Sequence, residues 1–340
     1  MRIAATFAPP FAACGIAVQR GGEAPVFDIA TAPEIGMTPE TMWRAASISK
    51  VVTGAVVRAV LAQSGTSPDA EVGDILGLPL RNPAHPGVPV TVAQVASHQA
   101  GLTDAGGYAV PPHVTLGDWL GGRAIWGDAA PGARFDYCNL GYILIAAVAE
   151  RLSGESFDVL SRRLVLDPLG VGAGFNWAGV LAARRADALP TYRRGVGGFM
   201  AQIDAEVPPY GIVCPGARDP APSATTLAPQ GGLRLSLRGA LTLARSLRDV
   251  DAAPLWSGPS PAPFESYGWG LMIHDAPPFY PRPLIGHFAS AYGMAGGIWY
   301  DRAADIAFAH VLNGLPEGDE ADDLRPEELA IFDAVAQSVA

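Results

Sequence analysis

Lysine is almost missing from this chain of 340 residues: Lys50 is the only one, and the rest of its 23 basic residues are arginine. Arginine keeps its proton at any useful pH, whereas a buried lysine can lose it, so the two differ wherever a proton must move. Cysteine is scarce as well. The 3 present, Cys14, Cys138 and Cys214, cannot all pair, which argues against a disulfide framework. Charged residues make up only 16% of the chain and the net charge is -10. The arginine pairs at 162–163, 184–185 and 193–194 stand apart from one another, so no basic patch for nucleic acid emerges. No apolar run reaches the length of a membrane span, and neither an internal repeat nor a low-complexity tract is present. The histidines at 85, 98, 113, 274, 287 and 310 lack ligand spacing, so neither metal nor cofactor is implied.

What is present is a globular chain, 49% hydrophobic, long enough for a sizeable core. Its one lysine sits in Arg44-Ala-Ala-Ser47-Ile-Ser49-Lys50, at the head of an apolar run that ends at Gly65. The run predicts a helix buried on most sides and stopped by that glycine. Helical positions i and i+3 share a face, so Lys50 reaches the Ser47 hydroxyl. Ser49, the immediate neighbour of Lys50, points elsewhere. Spacing alone also fits a serine that caps the helix and a lysine that snorkels.

Along the chain, residues 12–19 and 25–30 predict a hairpin around Arg20-Gly21-Gly22. Cys14 belongs to its first strand; the alternative is a lipoprotein-type signal over Met1–Cys14. Thr91 to Gln94 is a capping box opening a short helix that runs to Ser97-His98. At its end His98 serves the backbone and the helix dipole rather than catalysis. Tyr137-Cys138-Asn139 precedes an apolar helix from Ile143 to Leu152, and the part played by Cys138 stays open. The irregular stretch 171–232 reads as a binding loop rather than a linker. A helix over about 236–248 follows, then strands at Tyr267 to Ile273, Leu284 to Phe288, Met294 to Tyr300 and Ile306 to Leu312. The tail, Arg325 to Val339, predicts a helix.

A nucleophilic serine needs a base, an oxyanion site and groups that hold the substrate. Tyr137 and Asn139 offer a phenol and an amide from one turn. An ammonium at Lys50 favours the phenolate, which makes Tyr137 a candidate base. Gly286-His287-Phe288-Ala289-Ser290 lies on a predicted strand with a backbone N–H to offer. In this order the elements resemble the serine β-lactamase and D-Ala-D-Ala peptidase superfamily, whose S-x-x-K element they share. The likeness is nearest to the branch of class C β-lactamases, DD-peptidases and family VIII carboxylesterases. It extends to the Ser97-His98 and Gly101-Leu102 turn, Asp167-Pro168-Leu169-Gly170, Gly231-Gly232-Leu233 and Leu312-Asn313-Gly314.

The resemblance implies an α+β, β-lactamase/transpeptidase-like fold: an antiparallel sheet flanked by helices plus a mostly helical insertion. Residues 1–65 and 230–340 form the sheet domain, 66–229 the insertion, and the active site lies at their junction. By position, the resemblance makes Ser47 the nucleophile, with Lys50 and Tyr137 exchanging its proton. Asn139 binds the carbonyl side of the substrate, His287 replaces the lysine of the lactamase K-T-G triplet, and the Ser47 and Ser290 amides form the oxyanion hole. Phe288 and Ala289 replace that triplet's threonine and glycine and face the ligand. A small uncharged ester is therefore the expected substrate. The alternatives are a β-lactam, a D-amino-acid amide or peptide, and a non-catalytic relative that only binds. The start of the chain, without an export signal, gives a cytoplasmic expectation.

Overall fold

The computed structural model describes residue 4 and residues 11–110, 114–177, 179–202, 228–258, 264, 266–316 and 324–338. Cys214, His113 and residues 178 and 203–227 of the proposed binding loop lie outside the described residues, as do residues 1–3 and 5–10 of the Met1–Cys14 stretch.

Strands from both ends of the chain build one antiparallel sheet. Ala13–Arg20 pairs with Val26–Thr31 as the expected hairpin, and on its other side with Ile306–Asn313, Cys14 facing Leu312. Met294–Asp301, Leu284–Ala291, Leu271–His274, Ser266–Gly268 and Trp256–Ser257 continue it to eight strands. Both faces are covered. Leu237–Ser246 packs against Ala13–Arg20 and Ile306–Asn313, while the Pro326–Gln337 helix sets Phe332 among Phe288, Trp299 and Phe308. Between residues 66 and 202 helices predominate, with strands at Gly174–Phe175, Thr191–Gly195 and Gly198–Gln202 added.

The expected strand from Tyr267 to Ile273 is instead a hairpin, turning at Trp269-Gly270. Both residues have left-handed backbone, φ 53° and 80°. The turn is pressed onto the Ser49–Ser64 helix: a Cβ on Gly54 would lie 1.8 Å from the Trp269 carbonyl oxygen, and one on Gly270 would lie 2.0 Å from that of Lys50. That contact requires two glycines and fixes the depth of the helix against the sheet. Gly65 ends the helix at φ 66°, as anticipated. The helical run Ala46–Ser64 is long and apolar enough to cross a membrane, so the expectation that no run reaches that length is corrected. About two-thirds of it, 67%, is buried within the protein, the pattern of a core helix.

Candidate active site

Ser47 does not sit in the α-helix proper. It occupies a 3-10 turn, Ala46–Ile48, ahead of the Ser49–Ser64 helix. Ala46 has φ 42°, an unusual value for a residue with a Cβ, and the turn swings Ser47 into a partly exposed position. Ser49 is fully buried, and its Oγ accepts the Leu233 N–H at 3.0 Å. Thr53 donates to the Pro229 carbonyl at 2.7 Å. These two bonds tie segment 229–233 along the helix and bring the Gln230 carbonyl over Lys50.

Lys50 is fully buried and donates to three oxygens: Asn139 Oδ1 at 2.8 Å, the Gln230 carbonyl at 3.0 Å and Ser47 Oγ at 3.1 Å. Burial lowers its pKa to about 7, against the smaller raising influence of Asp104. Two of its three partners, a backbone carbonyl and an amide carbonyl, can only accept. A neutral amine carries two hydrogens and one lone pair. Both hydrogens are thus committed, and the lone pair faces Ser47.

The Tyr137 hydroxyl donates to Ser47 Oγ at 3.0 Å, and the Lys50 amine lies 4.8 Å from the centre of its ring. The sequence reading favoured a phenolate here, which the surroundings of the ring oppose. Burial, joined by Asp104, pushes the Tyr137 pKa up, while the bond with Ser47 opposes the rise. The residue keeps 39% of its surface exposed, so solvent tempers the shift. The easily deprotonated member of the pair is the lysine.

Asp104, absent from the sequence-derived candidates, organises the Tyr137–Asn139 turn. Its Oδ2 accepts from the Asn139 backbone N–H at 3.0 Å and the Asn139 side-chain amide at 2.9 Å. Its Oδ1 accepts from the Leu140 N–H at 3.0 Å and the Cys138 thiol at 3.2 Å. The Asn139–Ser153 helix, which begins four residues before the expected start, therefore takes its N-terminal cap from a distant loop. Cys138 is buried, and burial followed by the Asp104 charge raises its pKa well above the usual thiol range. Both influences disfavour the thiolate, the reactive form.

His98 serves a backbone group as expected, but the dipole part of that reading fails. It has left-handed backbone, φ 59°, and its Nδ1 accepts the Cys138 N–H at 3.1 Å. Burial, then Lys50 and His287, hold its pKa well below the ordinary value, so no positive charge is available for a dipole. Its ring supports that of Tyr137, with centroids 4.4 Å apart.

Strand alternation settles the next predicted group. His287 faces the site, its ring centroid 6.3 Å from that of Tyr137. Its Nδ1 contacts the Phe288 carbonyl, which can only accept. Nδ1 therefore carries the hydrogen, and Nε2 lies 3.2 Å from the Tyr267 hydroxyl oxygen. Burial and Lys50 lower the His287 pKa to about 3, leaving a neutral ring where lactamases have a cation. Ala289 is buried on the same side of the strand. Phe288 is not a ligand contact. It points to the opposite face and packs on Trp299 at 4.4 Å, Phe279 at 6.0 Å and Phe332 at 6.1 Å. A period of two cannot put residues 287 and 288 on one face.

Ser290 stands where Leu284–Ala291 has outrun its neighbour, because Leu271–His274 pairs only with Leu284 to Gly286. Beyond Gly286 that edge has no strand partner among the described residues, and the Ser47 turn packs against this strand. Ser47, Lys50, Tyr137 and Asn139 are thus joined in one hydrogen-bonded network, with His287 and Ala289 on the adjoining strand. Tyr267, within an aromatic-rich stretch, and the Gln230 carbonyl had no motif to reveal them.

Residues 12–331 match the Beta-lactamase family. By sequence the chain is similar to Penicillin-binding protein 4 of Amycolatopsis lactamdurans, 26% identical over 142 residues that cover 40% of this chain and 36% of that protein. The chain thus aligns with about a third of that relative's length. By structure it is similar to the octameric penicillin-binding protein homologue from Pyrococcus abyssi, with a TM-score of 0.71, 24% identity, and 97% of this chain and 74% of that one covered. It is also similar to the D-amino acid amidase from Ochrobactrum anthropi SV3, with a TM-score of 0.74, 16% identity, and 99% and 96% covered. At such identities the structural likenesses establish the β-lactamase/transpeptidase-like α+β fold and nothing finer. With the family matched from the first strand to the last helix, this chain belongs to the beta-lactamase family.

Proposed function

We propose that this protein is a serine hydrolase that forms an acyl-enzyme on Ser47 and acts on small, uncharged esters. The observation that carries the reading is the commitment of both Lys50 hydrogens to pure acceptors, which directs the lone pair at Ser47 Oγ. Lys50 takes the hydroxyl proton as Oγ bonds to the acyl carbon, and the carbonyl electrons move onto oxygen. That oxyanion is received by the Ser47 and Ser290 N–H groups. The tetrahedral adduct collapses as its bond to the leaving oxygen breaks. Tyr137, kept protonated, gives its hydrogen to the departing alkoxide, and the Lys50 ammonium restores it. Water then attacks the acyl-enzyme by the reverse path and frees the acid and Ser47. Asn139 holds Lys50 and keeps one amide hydrogen for the substrate.

Treatment with a fluorophosphonate and mass spectrometry of the peptides should place the adduct on Ser47. An adduct on Ser49, or full activity in Ser47→Ala, would end the proposal.

The neutral His287 supports the substrate class. A carboxylate placed there would lose water without gaining a charge-assisted partner, a cost of roughly 1–3 kcal/mol. Short acyl esters should therefore exceed penicillins, D-amino-acid amides and D-Ala-D-Ala peptides in kcat/KM. Penicillin hydrolysed better than esters would sink the ester assignment and turn attention to Arg44. Its Nε donates to the Gly231 carbonyl at 3.1 Å and its guanidinium lies 4.0 Å over the Tyr292 ring.

A further inference from the structure

The lone pair of Lys50 faces Ser47 only while Asn139 presents its oxygen to the amine. An asparagine side chain is nearly symmetric, so something must decide which end faces which way. Asn139 Oδ1 lies 2.8 Å from Lys50 Nζ, and Asn139 Nδ2 lies 2.9 Å from Asp104 Oδ2. Lys50 would meet a flipped amide with two hydrogens and have to turn its lone pair there, away from Ser47. We propose that Asp104 is a positioning residue: its carboxylate holds the Asn139 amide nitrogen, turns the Asn139 oxygen onto Lys50, and so makes Lys50 a base toward Ser47.

Both oxygens of the carboxylate are anchored. The backbone N–H groups of Asn139 and Leu140 and the Cys138 thiol hold them, so Asp104 offers a fixed acceptor to the amide. The first two donors also hold the helix start, which a cap alone would explain. The side-chain bond to Asn139 is what a cap does not need. Asp104 also acts on Lys50 at longer range, where its charge favours the ammonium against burial.

The inference rests on the Ser47 reading, and fluorophosphonate labelling of the unmodified protein tests that reading separately. The decisive variant is Asp104→Asn, which keeps the shape, removes the charge and frees Asn139 to flip. Its kcat/KM should fall about 10²-fold or more, the scale of a lost general base. The acid limb of its pH profile should move to lower pH, because the charge that favours protonated Lys50 is gone. On the alkaline plateau, where Lys50 is already neutral, the double variant Asp104→Asn/Asn139→Ala should lose no more than Asn139→Ala alone, since both then act through one amide. A helix cap and nothing else would lower the melting temperature, cost little in kcat/KM on the alkaline plateau and add to the loss in Asn139→Ala. That result would overturn the proposal. Should Asp104→Asn fail to fold, Asn139→Ala carries the test, because the backbone bonds to Asp104 survive in it. It should show the same loss at a near-native melting temperature, and full activity there would overturn the proposal too.

Discussion

Lys50→Arg should be nearly as inactive as Lys50→Ala, each about 10²–10⁴-fold below the unmodified protein in kcat/KM, as expected for loss of a general base. Arginine keeps the positive charge and even the donors, but it cannot release a proton to become a base. The guanidinium would also have to enter a site with no exposure, against two acceptors placed for an amine. The pH dependence has a definite sign. Burial depresses the Lys50 pKa from 10.5 to about 7, so the neutral amine prevails above that value and the ammonium below it. Acylation should accordingly decline as pH falls through about 7 and level off on the alkaline side. Because Lys50 is the sole lysine, isotopically labelled lysine gives one side-chain signal whose titration reads this value directly. Substantial turnover by Lys50→Arg, or a lysine signal titrating near pH 10, would reduce Lys50 to an electrostatic anchor.

Gly54→Ala should be the most damaging single methyl that can be added to the active-site helix. The new Cβ would fall 1.8 Å from the Trp269 carbonyl oxygen and 2.3 Å from its carbon, and both are backbone atoms that no rotamer can move. Overpacking of a core typically costs 1–3 kcal/mol, and a clash between two main chains belongs at or beyond the top, about 3 kcal/mol or more. Relief requires the helix to move away from the Trp269-Gly270 turn. That turn faces Lys50, so activity should fall along with stability. Gly22→Ala is the control, since a Cβ there meets nothing within 4 Å. Denaturant melts of the two variants decide the matter. A Gly54→Ala protein within 1 kcal/mol of the unmodified one would mean that the helix and the turn are not locked as described.

Much of this protein is legible before folding. The lone lysine, the serine three residues ahead of it and the Tyr137-x-Asn139 turn carry the nucleophile and its neighbours, because helix spacing and residue chemistry are local properties. The helix end at Gly65 and the hairpin around Gly21 are legible for the same reason. Even Ser47 over Ser49 follows from spacing, although the buried bond to Leu233 that ties down Ser49 does not.

The tertiary structure decided what depends on several segments meeting. Composition leaves the ionisation of Lys50 and Tyr137 open. It is burial that depresses the amine and raises the phenol, and burial is a sum over the whole fold. Asp104 stands 35 residues before Asn139, and no spacing rule links a loop carboxylate to a helix start at that separation. Phe288 was misplaced for a related reason: the triplet fixes its residue in the strand but not which face is covered by Phe332. The sequence alone therefore determined which groups are available for chemistry. The packing of the strand, the Trp269-Gly270 turn and the 98–104 loop around Lys50 decided their charges, orientations and partners, because desolvation and hydrogen-bond direction exist only once distant segments are in contact.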